Sequence, residues 1–200
     1  MPAEGNKPAM KTKNMIQPNN DAAADLEALF IDSLRDIYWA ETALLKALPV
    51  MMENATAPNL ASAIKDHLMI TQLQVERLDK AFSIIGEKAE GKKCEAMAGL
   101  IREGEEILAE TQPGPVRDAG IIAASQKIEH YEIATYGTLI AFAKALGHND
   151  AAMLLNQSLA EEKESDMLLS DVALNAINMT ASNNETARKE ASRGKVKMQR

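Results

Sequence analysis

The places where its helical pattern breaks constrain this chain most. Four long segments, about 23–53, 59–86, 116–147 and 150–178, repeat apolar residues with the 3.6-residue period of a helix buried on one face. No stretch shows strand-like alternation. Two of the three breaks are short: Asn54–Pro58 separates the first pair, and His148-Asn149 after Gly147 separates the last. Each pair therefore folds back as an antiparallel hairpin. The middle break, from Gly86 to Pro115, is long and carries a shorter helical pattern near 94–110. It can span a bundle about 45 Å tall, the length of a helix of about thirty residues.

Two helical hairpins joined by one long crossover make the ferritin-like connectivity rather than a simple up-down-up-down bundle. The fold expected is all-α: a ferritin-like four-helix bundle whose crossover carries a short extra helix. End signals agree. Asp21 or Asp25 caps the first helix, and Pro49 is placed to kink its last turn. Gly86 and Gly147 close the second and third long helices, and Pro115 precedes the third. Low aromatic content, 4%, favours helix over sheet. The bundle is placed at 21–178, between polar tails at 1–20 and 179–200 that read as disordered. No apolar run approaches the roughly 20 residues that cross a bilayer. The one cysteine, Cys94, excludes an internal disulfide and fits a reducing compartment, so a soluble cytoplasmic protein is expected.

Charge narrows the partners. Residues 21–178 hold 26 Asp/Glu against 13 Lys/Arg, so the domain repels nucleic acid and attracts cations. Basic residues gather in the C-terminal tail (Arg188, Lys189, Arg193, Lys195, Lys197, Arg200). That tail is the one segment suited to nucleic acid, and it lacks interleaved aromatics.

Acids occur on faces that should be apolar. The first helix has a stripe of Leu26, Phe30, Leu34, Ile37, Leu44, Leu48 and Met51, with Glu41 at its centre. Glu27, Asp32 and Asp36 fall on its flanks. The third long helix carries Glu129, Glu132 and Tyr136 within the stripe Ile121, Ile122, Ser125, Ile128, Leu139, Ala143 and Leu146; His130 points the other way. The fourth places Glu162 and Asp166 among Ala152, Leu155, Leu159, Leu169, Ala173 and Ile177, while Glu161 and Glu164 read as surface acids. On the second, the stripe Leu60, Ile64, Leu78, Phe82 and Ile85 passes through His67, Thr71 and Gln74.

Taken singly, each has an ordinary reading. Glu41 could be a snorkelling rim residue, His67 a hydrogen-bonded core histidine, and Glu129 with Glu132 a hydrophilic seam. Thr71 and Gln74 suit either support of a site or plain core filling. But all lie near the midpoints of their helices, so antiparallel packing gathers them in one layer. No Lys or Arg sits on any stripe to offset them. Burying several like charges without partners costs many kcal/mol. Cations from solvent resolve the conflict, and carboxylate plus imidazole suits iron or manganese. Two divalent ions would neutralise four carboxylates.

Residues DIYWAETALLKALPVM, HLMITQLQVERLDKAF, KIEHYEIATYGTL and LAEEKESDMLL, with KKCEAMAGLIREGEEI and VRDAGIIAASQKIEHYE, resemble the YciE/YciF family of ferritin-like proteins over about 24–178. The resemblance implies a rubrerythrin-like bundle, a homodimer, a dinuclear iron or manganese site and a link to stress responses. Carried over, the ligands are Glu41, His67, Glu129, Glu132, Glu162 and Asp166, with Glu132 and Glu162 as bridges. One departure stands out: Met69 and Ile70 follow His67 where relatives tend to be acidic, which leaves helix two with fewer ligands.

By analogy with such folds, the activity expected is reduction of peroxide or oxygen, a di-metal oxidase or peroxidase. The alternative is a non-enzymatic dimeric helical stress protein with a structural or degenerate metal site. An iron-storage shell and DNA binding through the basic tail complete the list of readings. Cys94 reads as a packed structural thiol.

Overall fold

Among the described residues, 16–20 and 22–183 of a computed structural model, every regular element is helical. The elements are α1 (Leu26–Asn54), α2 (Pro58–Ile84), α3 (Glu95–Glu110), α4 (Pro115–Leu146) and α5 (Asn149–Val172). A π-helical turn, Ala173–Ile177, extends α5.

Local chemistry sets the ends. Asp25 Oδ1 accepts the Ala28 N–H at 2.8 Å and caps α1; the other cap considered, Asp21, lies outside the described residues. α1 runs on through Pro49 to Asn54. α2 and α4 each open on a proline, whose missing N–H is one the first turn would leave unpaired. Gly147 ends α4 at φ +85°, and the His148 N–H closes on the Ala143 carbonyl at 2.8 Å. One boundary differs from expectation. The apolar period of the sequence ends the last helix at 178, but the chain stays helical through 183. No Gly or Pro interrupts those residues, and the Thr180 hydroxyl folds back onto the Ala176 carbonyl at 2.8 Å. The rest of that tail, like most of the N-terminal one, lies outside the described residues.

The long helices close a ring in the order α1, α2, α5, α4, with α3 lying against α4 and α1. Contacts at the two ends fix directions. At the start of α4, Asp118 bonds to Thr56 in the α1–α2 turn. At its other end, His148 Nε2 lies 2.9 Å from Glu27 Oε1, and its ring stacks on Phe30 at 5.8 Å. α4 is therefore antiparallel to α1, and the crossover travels the full height of the bundle. On the way, the Lys92 N–H bonds to the Arg35 carbonyl at 3.0 Å. Cys94 caps α3, its Sγ accepting the Met97 N–H at 3.3 Å and donating to Tyr131 Oη at 3.1 Å. Burial pushes its thiol pKa up, which suits a packed structural role. α3 seats where α4 has no side chain: a Cβ at Gly120 would come within 2.6 Å of Ile107 Cγ2.

The apolar stripes meet inside the ring. Phe30, Leu34, Ile37, Leu44, Leu60, Leu78, Phe82, Ile121, Leu139 and Leu155 are all buried. Leu26, counted in the first stripe, is 37% exposed in the opening turn of α1, at the end of the bundle. On α5 the buried line runs through Ala151, Leu155, Ser158, Glu162 and Leu169, so Ser158 takes the inward place expected of Leu159.

Candidate metal centre

Midway along the ring, four helices turn ionisable side chains into the core. α1 supplies Glu41, α2 His67, α4 Glu129 and Glu132, and α5 Glu162, none more than 6% exposed. Glu129 and Glu132 share a face because three residues come within about 60° of a full helical turn. One potential ligand atom from each of His67, Glu129, Glu132 and Glu162 lies within 4.8 Å of the others. His67 Nε2 is 3.5 Å from Glu129 Oε1 and 3.9 Å from Glu162 Oε2. Glu41 adjoins this group, and its Oε1 accepts the Tyr136 hydroxyl at 2.5 Å.

A ring of polar groups holds the cluster from outside. Gln74 Nε2 donates to Glu162 Oε1, and to Glu161 Oε2 at 3.1 Å. Arg77 grips Glu161 with two bonds of 2.8 Å and reaches Ser158 Oγ at the same distance. Glu161 is thus a half-buried partner of Arg77 and not a free surface acid. Arg77, which no stripe includes, is the nearby cation, and its guanidinium is taken by Glu161. Thr71 donates to the His67 carbonyl at 3.0 Å, a bond within its own helix.

Burial dominates the electrostatics. It pushes the pKa values of Glu41, Glu129 and Glu132 well above the ordinary carboxylate range. Neighbouring carboxylates add to it: Glu162 beside Glu41 and Glu129, and Glu41 beside Glu132. The Tyr136 hydroxyl is raised by burial and then by Glu41. Burial lowers His67, leaving a neutral imidazole with a lone pair to offer.

Hydrogen bonding leaves this layer incomplete. Glu41 Oε2, Glu129 Oε2, both Glu132 oxygens, Glu162 Oε2 and His67 Nδ1 are buried without a partner, as is Gln74 Oε1. Buried acceptors normally find donors, and leaving one unmet costs about 1–3 kcal/mol, more when charged. Divalent cations would satisfy them, and four carboxylates with one imidazole are the donor set that iron and manganese accept. The residues present fit such ions.

Asp166, grouped with the other acids by sequence, is not brought into this cluster. It lies half-buried on the flank of α5 that faces Gln126 and His130. There Oδ1 accepts from Gln126 Nε2 at 3.1 Å and lies 3.5 Å from the outward His130. Met69 is exposed and Ile70 half-buried, so neither joins the buried set. The apolar stripes of the sequence do not point to Arg77, Ser158 or Gln126. Their roles depend on cross-helix pairing, which periodicity along one helix does not encode.

The chain has relatives among known sequences and solved structures. A family model, described as a domain of unknown function (DUF892), matches residues 25–182. Protein YciF of Escherichia coli (strain K12) is 44% identical over 159 residues, which is 79% of this chain and 96% of that protein. The crystal structure of the E. coli stress protein YciF has a TM-score of 0.75 at 43% identity, covering 78% of this chain and 99% of the other. YcfI from Rhodopseudomonas palustris, described as a candidate structural protein, also scores 0.75, at 45% identity over 80% and 100%. A protein from Xanthomonas campestris pv. campestris, 18% identical with a TM-score of 0.64, shares the fold.

Proposed function

The chain belongs to the DUF892 family, and from that membership and the buried cluster we propose a stress-associated metalloprotein that holds two iron or manganese ions and reduces peroxide or oxygen. The observation that carries this reading is the set of buried carboxylate oxygens without donors. Stress association is drawn from the relative described as a stress protein.

In this reading Glu132, both of whose oxygens are unpaired among Glu41, Glu162 and Glu129, would hold the ions together with Glu162, which has one oxygen fixed by Gln74 and the other without a donor. Glu129 and His67, 3.5 Å apart, would add ligands from α4 and α2. Glu41, oriented by the Tyr136 hydroxyl, would add one from α1. Bound redox-active ions would supply the electrons and open positions that oxygen or peroxide requires. The protein contributes orientation, through Gln74 and Tyr136, and exclusion of water, through the apolar layers above and below. Neutral His67 needs to lose no proton on binding, whereas the raised carboxylates release theirs. The family resemblance also suggests a cytoplasmic homodimer, which size-exclusion chromatography with light scattering tests.

Elemental analysis after anaerobic Fe(II) or Mn(II) loading tests the centre. We expect close to two ions per chain in the wild type and loss of both in Glu132→Ala, followed by a spectral change with peroxide. An iron-loaded wild type that neither binds peroxide nor changes its spectrum would rule out the enzyme.

A specific observation favours a second reading, a structural or degenerate centre. Ile64 stands one turn before His67, and Ser165 one turn after Glu162, positions on the cluster's side that supply no ligand of carboxylate or imidazole type. One tightly held, redox-silent ion per chain would establish that reading.

A further inference from the structure

Open spaces along the helices differ in what they touch. A cleft of about 420 Å³ between α1 and α4 is lined by Asp32, Asp36, Tyr131 and Thr135. A groove of about 320 Å³ between α1 and α3 is lined by Trp39, Lys46, Val50 and Glu105. Neither reaches a member of the buried cluster. A third space, only about 20 Å³, lies between α2 and α5, and both His67 and Glu129 line it. It has room for one water.

The side chains explain why a gap exists there. Ala63 on α2 and Ser165 on α5 are small and half-buried, and Leu168 beside them is 46% exposed. The Ser165 hydroxyl reaches Glu129. Leu48, Ile64 and Leu169, with Ser125 of α4, make the remaining wall. The seam thus runs from a partly exposed leucine to two members of the cluster. Rotamer changes of exposed side chains take picoseconds to nanoseconds, so Leu168 can swing aside without moving a helix. The wider α1–α4 cleft ends instead on Tyr131, which hydrogen bonds to Asp36 and Cys94.

We propose that the α2–α5 seam rimmed by Ala63, Ser165 and Leu168 is the portal through which metal ions and small ligands reach the buried centre. A space with room for one water favours small ligands and turns away bulkier ones. This rests on the metal reading of the cluster and adds to it a route and a size limit.

Stopped-flow loading with Co(II), followed by its visible absorption, tests the portal without any turnover assay. Ala63→Leu narrows the rim and should slow uptake roughly tenfold, the factor set by 1.36 kcal/mol of added barrier. Leu168→Ala removes an exposed cover and should accelerate uptake. Thr138→Leu, in the α1–α4 cleft, should leave the rate unchanged. All three should bind as many ions at saturation as the wild type. On the loaded protein, azide should shift the cobalt spectrum of the wild type, and imidazole only that of Leu168→Ala. Equal rates in the wild type and both rim variants, or slow uptake in Thr138→Leu, would overturn the portal and leave the metal reading standing. Imidazole acting on the wild type as fast as azide would overturn the size limit. Failure of the wild type to take up cobalt at all would overturn the metal reading, and the portal with it. If circular dichroism shows Ala63→Leu unfolded, Leu168→Ala alone decides, since it removes a partly exposed side chain.

Discussion

Two regions of this bundle bury carboxylates and treat them in opposite ways. At the α1–α2 end, Asp118 is 2% exposed, and each oxygen has a donor of its own. Oδ1 accepts the Thr56 N–H at 2.7 Å, and Oδ2 accepts the Thr56 hydroxyl at 2.5 Å. In the middle, Glu41, Glu129, Glu132 and Glu162 are just as buried, yet five of their oxygens have no donor among the described residues. Burial of an acid therefore does not mark a site by itself. Asp118 is a clasp that ties the start of α4 to the first turn, and its charge is consumed by the fold. The central layer holds acceptors that the fold leaves unused, and those acceptors are what point to cations.

The largest effect should come from opening the clasp. Asp118→Ala removes two hydrogen bonds to a charged acceptor, each worth about 1.5–3 kcal/mol, and strands the Thr56 N–H. We expect a loss of about 3 kcal/mol in urea unfolding, the same with and without Mn(II), and unchanged metal stoichiometry. A loss that depended on metal would erase the distinction between the two regions.

The central layer should respond in the other direction. Replacing a buried, unpartnered acid by an apolar group of similar size removes a desolvated polar group with no hydrogen-bond donor. Glu132→Leu should therefore stabilise the metal-free protein by about 1–2 kcal/mol while abolishing metal uptake. Urea unfolding in the presence of a chelator measures the first, and elemental analysis the second. Destabilisation of the metal-free protein would mean that Glu132 is satisfied within the fold, as Asp118 is.

The contrast between the regions also explains what the sequence discloses. The ring of helices is legible because periodicity, caps and loop lengths each act over a few residues, and they agree at Asp25, Pro115 and Gly147. Glu41, Glu129, Glu132 and Glu162 are legible for the same reason, each being a polar break in an apolar stripe. Asp166 breaks a stripe too, yet its partner lies across the bundle, where Gln126 holds it at the flank. Asp118 and Arg77 are not legible in the sequence because their partners, Thr56 and Glu161, lie across the bundle. The registry between helices decides such pairs, and no single helix records it.

The smallest effect, and the one that sharpens the comparison most, is the response of the metal-free protein to pH. Glu41, Glu129 and Glu132 have folded-state pKa values above their unfolded ones. Their contribution to stability is complete below the ordinary carboxylate value of about 4.3 and is lost as pH rises toward the raised values. His67 is lowered, so its contribution is complete above about 6.5 and is lost as pH falls through the depressed value. The two oppose each other below about 6.5, and only the carboxylates act above it. With chelator present, the wild type should melt at falling temperature as pH rises above about 6.5, with a shallower trend below it, where His67 opposes the carboxylates. The triple variant Glu41→Gln, Glu129→Gln, Glu132→Gln should lose the upper slope. Saturating Mn(II) should reverse the sign in the wild type, because protons and metal compete for the same oxygens. A melting temperature with the same pH slope in wild type and triple variant would show that the central carboxylates are not the groups that burial has raised.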